Sequence, residues 1–267
     1  MSINEQAGAK IGFSSQSSEK LLQIMESLAK YHAPAKLQDI AESLGVTQST
    51  TLRYLNTLIN QKYVYKDEET LRYGLTWKIC RLGHLVTSHT GIRDIAYPFL
   101  RELSRVLDAG VCLAICREEE LFYLDVIEKP NNTDWILQRI GKSAPMHCTG
   151  SGKVLLTGFS AETLKIFAAK GLERITDKTI TNQQELFNEL EKVRAQGYAI
   201  DDEECELGIR CVSVPLYDYS DRIAAAFSLF GSVADVDFST IKDRFVPKML
   251  EYSRQISTRL GSRKFEE

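Results

Sequence analysis

The sequence predicts an α+β chain in two parts, a small helical domain with a hairpin followed by a larger domain of interleaved strands and helices. Three observations predict it. Residues 37–60 read as two short amphipathic helices joined by a glycine turn. Aromatic and β-branched residues alternate on both sides of a polar turn over 63–75. Beyond residue 110, strand-sized apolar runs recur between helical patterns, the mark of a sheet flanked by helices.

Residues 1–17 are polar and without an apolar stretch, so they read as a flexible lead-in and not as a signal peptide. The first helix follows, with Leu21, Ile24, Met25 and Leu28 on one face, running to about Tyr31 before His32-Ala33-Pro34 stops it. Leu37, Ile40, Ala41 and Leu44 keep the spacing of a single helical face, and Gly45-Val46 breaks it. Thr47 is placed to cap the next helix, in which Thr51, Leu52, Leu55, Leu58 and Ile59 turn inward. Ser49, Thr50, Arg53, Asn56 and Thr57 are left on the outer side. Amphipathic helix pairs with a glycine turn also occur in proteins that never meet nucleic acid. The hairpin at once afterwards makes this one a winged helix-turn-helix over 18–75, with Lys66 and Arg72 where neighbouring phosphates would lie.

Thr76 caps a further helix over 77–87, whose Trp77, Ile79, Leu82, Leu85 and Val86 form a broad apolar surface. Residues 76–90 are accordingly read as a linker helix that packs against a second copy, the alternative being packing on its own chain. The larger domain, 91–267, opens with a helix over 92–107 that Pro98 is expected to kink or restart. Strands are expected at 111–117 and 121–128 about a Glu118-Glu119-Glu120 turn, and a third at 135–140. After a short helix over 151–156 come helices at 161–169 and 184–194, strands at 198–202, 209–217 and 222–230, and one long closing helix over 238–260.

Composition narrows the function classes. The net charge of −3 argues against indiscriminate polyanion binding, and residues 1–75 carry eight basic against eight acidic side chains. A neutral module gains little from counterion release, so binding to double-stranded DNA is expected from a homodimer or homotetramer. The longest apolar runs, at 111–116 and 223–227, fall far short of the roughly 20 residues that span a bilayer. Six scattered cysteines without a Cys-x-x-Cys pair suit a reducing compartment, and the cytoplasm is the expected location.

The stretch Gly150-Ser151-Gly152-Lys153 suggests a phosphate loop, but Met146 or His147 stands where the upstream glycine belongs and Val154 where the magnesium-binding hydroxyl belongs. What survives is a cradle for a carboxylate: backbone N–H groups of Gly150, Ser151 and Gly152 at a helix start, unpaired and facing outward. His147 and Cys148, adjacent on an extended segment, point to opposite sides and make a poor nucleophile and base. A metal site from His147, Cys148, Cys205 and Cys211 has loose spacing. No metal and no cofactor are expected. The acidic run at 201–206 lies between two strands; such a run is usually a solvated loop, and the expectation here is that the strands hold one or more of its carboxylates at a pocket mouth.

Four stretches in this order resemble the IclR family of bacterial transcription regulators, over nearly the whole chain from Ser18 to Leu260: QSTTLRYL at 48–55, PMHCTGSGK at 145–153, GYAIDDEE at 197–204 and LGIRCVSVPLYD at 207–218. The resemblance implies a recognition helix that adds Gln48 to the DNA-facing residues, a dimerising linker helix, and a GAF-like domain binding a small organic acid or aromatic effector. It also implies a pocket with backbone N–H groups at Gly150 and Ser151. Asp201, Cys211 and Ser228 would be its polar partners, and Ile136, Ala144 and Ile209 its apolar walls. The chain departs from the family pattern at Cys148, at Cys205 and at Phe230, where a ring replaces a frequent serine and admits a larger, flatter ligand. The expectation is a ligand-responsive repressor of a catabolic operon. An enzyme using the same pocket is the rival, weakened because Asp201, Cys211 and Ser228 include no evident base for the thiol or hydroxyl.

Overall fold

The structure, a computed structural model, describes residues 15–31, 33–82, 91–129 and 140–266. The chain divides into two compact units, 1–89 and 90–267.

In the first unit, α1 (Gln16–Lys30), α2 (Leu37–Leu44) and α3 (Gln48–Asn60) precede a hairpin of β1 (Val64–Lys66) and β2 (Tyr73–Leu75). Ile24, Leu28, Ile40, Leu55, Leu58, Val64 and Tyr73 meet in one core. Gly45 ends α2 in the left-handed region, φ 61°, where its N–H reaches back to the Ala41 and Glu42 carbonyls. Thr47 starts α3 two residues later, its Oγ1 accepting from the Thr50 N–H at 3.3 Å. Thr51 is buried as its spacing predicts, and its hydroxyl donates to the Thr47 carbonyl at 3.1 Å, so the apolar core meets no orphaned polar group. Leu52 departs from expectation. It is 37% exposed, because Thr51, Leu55 and Leu58 already fill the inward stripe.

Asp67 shapes the tip of the hairpin. Its Oδ1 accepts from Glu69 N–H, Thr70 N–H and the Thr70 hydroxyl, which holds the carboxyl below its usual range. Tyr73 also pairs with Ala35, tying the hairpin to the segment before α2. Residues 78–82 begin the expected linker helix, and 83–90 lie outside the described residues. Trp77 is 86% exposed.

The second unit is built on a six-stranded antiparallel sheet in the order β5-β4-β3-β8-β7-β6. Its strands are β3 (Gly110–Arg117), β4 (Glu120–Ile127), β5 (Ser143–Ala144), β6 (Ala199–Asp202), β7 (Ile209–Tyr217) and β8 (Ile223–Ser232). Its helices are α4 (Ile92–Leu107), α5 (Gly150–Leu156), α6 (Ala161–Ala169), α7 (Gln183–Gln196), α8 (Phe238–Thr240) and α9 (Val246–Arg259). Alternation along the strands sorts side chains between two cores. Val111, Leu113, Val212, Val214 and Leu229 pack with Leu100 and Leu103 of α4 and Met249 and Ile256 of α9. Cys112, Ala114 and Ala226 pack instead with Val154 and Leu155 of α5 and Leu186 and Leu190 of α7.

Three sequence expectations need correction. The turn between β3 and β4 is the two-residue Glu118-Glu119, both at positive φ (54° and 64°), since Glu120 pairs with Arg117. Pro98 does not restart α4, which runs unbroken from Ile92 to Leu107. The closing helix is not one regular rod: a π-helical turn, Ile241–Phe245, separates α8 from α9. Pro247 explains the place, for it sits in the first turn of α9 and has no N–H to give an ordinary i→i−4 ladder. The strand expected at 135–140 lies outside the described residues except for Ile140, which is in a turn.

Candidate DNA-reading face and effector cavity

Because Thr51, Leu55 and Leu58 take the inward stripe of α3, the opposite side is polar and open. Gln48, Ser49, Arg53, Asn56 and Thr57 are exposed and Thr50 is half-buried. The Thr47 hydroxyl lies 3.0 Å from both the Ser49 and Thr50 hydroxyls, clustering three short polar side chains at the helix start. Arg53, the one cation of α3, lies with its guanidinium 5.4 Å from the Tyr54 ring centre. On the hairpin Lys66 is exposed, whereas Arg72 is half-buried and donates to the Pro34 carbonyl at 3.3 Å. Arg72 therefore spends part of its hydrogen-bonding capacity bracing the hairpin. Sequence reasoning missed Lys78, whose ammonium donates to the Gln61 carbonyl at 2.7 Å and sits 4.0 Å above the Tyr63 ring, tying the linker's start to the end of α3.

In the second unit every residue of α5 is buried, which overturns the outward-facing amide cradle. The glycines make that burial possible. A Cβ at Gly150 would stand 2.5 Å from the Ser213 hydroxyl, and one at Gly152 would run into the Met146 carbonyl. Thr149 caps the helix by accepting the Gly152 N–H at 3.2 Å, so one of the three expected amides is taken. Gly150 and Ser151 line a small cavity with Asp201, Cys211, Ser228 and Phe230, so the structure brings these six expected residues together. Ser228 is the hub of its hydroxyls, 2.5 Å from both Ser151 Oγ and Ser213 Oγ. The cavity measures about 10 Å3, room for about one water.

The remaining expected wall residues lie elsewhere. Ile209 lines a neighbouring cavity at the end of the sheet, Ala144 packs into the core around α5, and Ile136 is outside the described residues. Cys112, Leu121 and Tyr123 supply walls that sequence reasoning missed. They become neighbours only through strand register, Cys112 opposite Ser228.

Asp201 gives the cavity its electrostatic character. Its Oδ1 accepts from the Glu204 N–H at 2.8 Å and the Cys205 N–H at 3.4 Å. Burial, with the nearby Glu204 carboxylate, nevertheless pushes its carboxyl up to about 7, against the pull of Lys153. Lys153 itself is wholly buried. Its ammonium donates to the Ile200 carbonyl and at 2.6 Å to Glu204, with Glu189 at 3.6 Å. Burial also raises Glu204, whose second oxygen has no hydrogen-bond partner among the described residues.

The catalytic alternatives lose their geometry here. His147 Nε2 lies 2.9 Å from the Glu173 carbonyl. The Cys148 thiol is pushed well above its usual range by the hydrogen bond with Cys205 and by burial, which keeps it protonated. Among the described residues no cluster of three His, Cys, Asp or Glu side chains is gathered for a metal, and no helix is long and apolar enough to cross a membrane.

An open polar helix beside a hairpin in one unit, with a buried polar cavity in the other, defines the class of DNA-binding regulators that respond to a small molecule. Residues 17–68 match the IclR helix-turn-helix domain and residues 84–258 match the family described as bacterial transcriptional regulator IclR C-terminal, so the chain belongs to the IclR family. It is 32% identical over 245 residues to the HTH-type transcriptional regulator XynR of Escherichia coli K12, covering 90% of this chain and 97% of XynR. The HTH-type transcriptional repressor AllR of the same strain is 28% identical over 92% of this chain and 90% of its own. Among solved structures, the Thermotoga maritima IclR aligns with TM-score 0.60 and 29% identity over 92% of this chain and 99% of that one. Membership makes the chain a DNA-binding transcription regulator and not an enzyme.

Proposed function

We propose that the chain is a cytoplasmic repressor of a catabolic operon, acting as a homodimer or homotetramer that loses operator affinity when a small organic or aromatic acid enters the second unit. The carrying observation is the buried set of Gly150, Ser151, Asp201 and Ser228, polar groups gathered around one small cavity. A protonated Asp201 donates to a ligand carboxylate, and the clustered Ser151, Ser213 and Ser228 hydroxyls offer it further donors. AllR, similar along almost its full length, is itself named a repressor.

In this reading Gln48, Ser49, Thr50 and Arg53 meet base edges, while Thr57, Lys66 and the remaining donors of Arg72 meet phosphates. The winged domain spans 18–75, the linker 76–90 and the effector domain 91–267. The mechanism is linkage: an effector shifts operator affinity only by its unequal affinity for the DNA-competent and DNA-incompetent states. The test is fluorescence anisotropy with DNA fragments flanking the protein's own gene, titrated with and without a panel of acids. The expected result is one fragment bound well above random DNA and released by one class of acid. Binding no tighter than to random DNA, or release by none of them, would contradict the proposal.

A further inference from the structure

We propose that Cys148 and Cys205 form a reversible disulfide, a bridge that hydroperoxides close and thiols reopen, and that it latches the inner cavity shut. The two cysteines stand far apart in the chain and meet in the fold. Cys148 lies on the turn that leads into α5, and Cys205 on the turn between β6 and β7. Both are free thiols, hydrogen-bonded to each other, and the Cys148 sulfur also faces the Pro145 carbonyl at 3.8 Å. Sulfurs already in contact need only a small approach to reach the roughly 2 Å of a disulfide. The turn after β6 can supply it, since Glu206, Leu207 and Gly208 are exposed.

Burial assigns the order of events. Cys148 is wholly buried and Cys205 is part-exposed, so a hydroperoxide meets Cys205 first. The Cys205 sulfur takes one peroxide oxygen as the O–O bond breaks, which gives a sulfenic acid and, from hydrogen peroxide, one water. Cys148 then attacks that sulfur. The S–S bond forms, the S–O bond breaks, and the hydroxide leaves with the Cys148 proton as a second water. The two thiols have lost two electrons and the peroxide has gained them. Near Cys148, Glu204 keeps a buried oxygen with no hydrogen-bond partner among the described residues, placed to relay that proton.

The bridge joins two sides of the inner cavity. Gly150 and Ser151 follow Cys148 closely on one side, and on the other Asp201 accepts the Cys205 N–H at 3.4 Å; all three line the cavity. At about 10 Å3 that cavity admits nothing larger than water unless its sides part. A covalent tie between them opposes the parting. The latch does not depend on the effector reading, and its test uses no acid.

The full chain is treated with hydrogen peroxide, alkylated, digested and mapped by mass spectrometry. The peptides of Cys148 and Cys205 are expected joined, lighter by two hydrogens and separable by dithiothreitol. Cys148→Ala should leave Cys205 as a sulfenic acid that dimedone traps, and Cys205→Ser, at a part-exposed site that tolerates it, should leave Cys148 a thiol. Under native conditions iodoacetamide should modify Cys112 and Cys211, which line the cavity, about ten-fold more slowly in the bridged protein than in the reduced one. Cys148 and Cys205 both remaining thiols at a peroxide dose that oxidises the exposed Cys80, or either one paired with another cysteine, overturns the bridge. Equal alkylation rates in the two forms overturn the latch.

Discussion

The two polar surfaces of this chain, the outer face of α3 and the cavity under α5, differ in what surrounds them. On α3 the serine, threonine and arginine side chains face solvent, where an unpaired donor is satisfied by water. Under α5 the Ser228 hydroxyl, the Asp201 carboxyl and the Lys153 ammonium are buried, and each depends on a protein partner. A change on the first surface therefore alters recognition with little effect on folding. A change on the second alters folding before it alters recognition.

The largest expected effect belongs to Lys153. Lys153→Met leaves Glu204 buried without its cation and should destabilise the second unit by about 3–5 kcal/mol, seen as a lower urea midpoint. Adding Glu204→Gln should restore part of it, and a single variant as stable as the parent would mean the buried ion pair is not formed.

Asp201 comes next. Its carboxyl is raised to about 7 in the folded chain from an unfolded value of 3.8, so the folded form binds more protons between those values. Stability from this group is present below the unfolded value and is lost as pH rises toward 7. Asp201→Asn should flatten that part of the stability profile while preserving a donor to the cavity. An identical slope in the two proteins would place the titration elsewhere.

Smaller effects are expected in the first unit. Arg53→Ala should weaken operator binding by about 1–3 kcal/mol if the guanidinium grips a base, with the melting midpoint unmoved. Thr47→Ala removes the cap of α3 and should cost about 1 kcal/mol of stability. If Arg53→Ala instead lowers stability as much as Thr47→Ala does, the contrast between an open and a buried polar surface fails.

The same contrast explains what was legible in the sequence. Gly45, Thr47 and the spacing of Ile40, Leu55 and Leu58 act within a few residues of themselves, so the helix pair and its outer face could be read locally. Strands β7 and β8 were likewise visible as apolar runs. The cavity was legible at Gly150, Ser151, Asp201, Cys211, Ser228 and Phe230 through resemblance. Its remaining walls were not, because Cys112 and Tyr123 arrive by pairing between strands distant in the chain. Ile209 misses the inner cavity because register sets it opposite Ser232, beyond the Phe230 row. Lysine is rarely buried, and only the approach of β6 and its following turn to α5 supplies Lys153 with the Ile200 carbonyl and Glu204. The π-helical turn was hidden because helical periodicity continues across it.

If the chain works as proposed, occupancy of the buried cavity and binding through α3 share one free energy. The most direct test is the affinity of the best-bound acid for the protein alone and for the protein saturated with its operator, set beside operator affinity with and without that acid. The acid is expected to weaken operator binding, and the operator to weaken acid binding, by the same factor. Operator affinity unchanged by a saturating concentration of a tightly bound acid would contradict it.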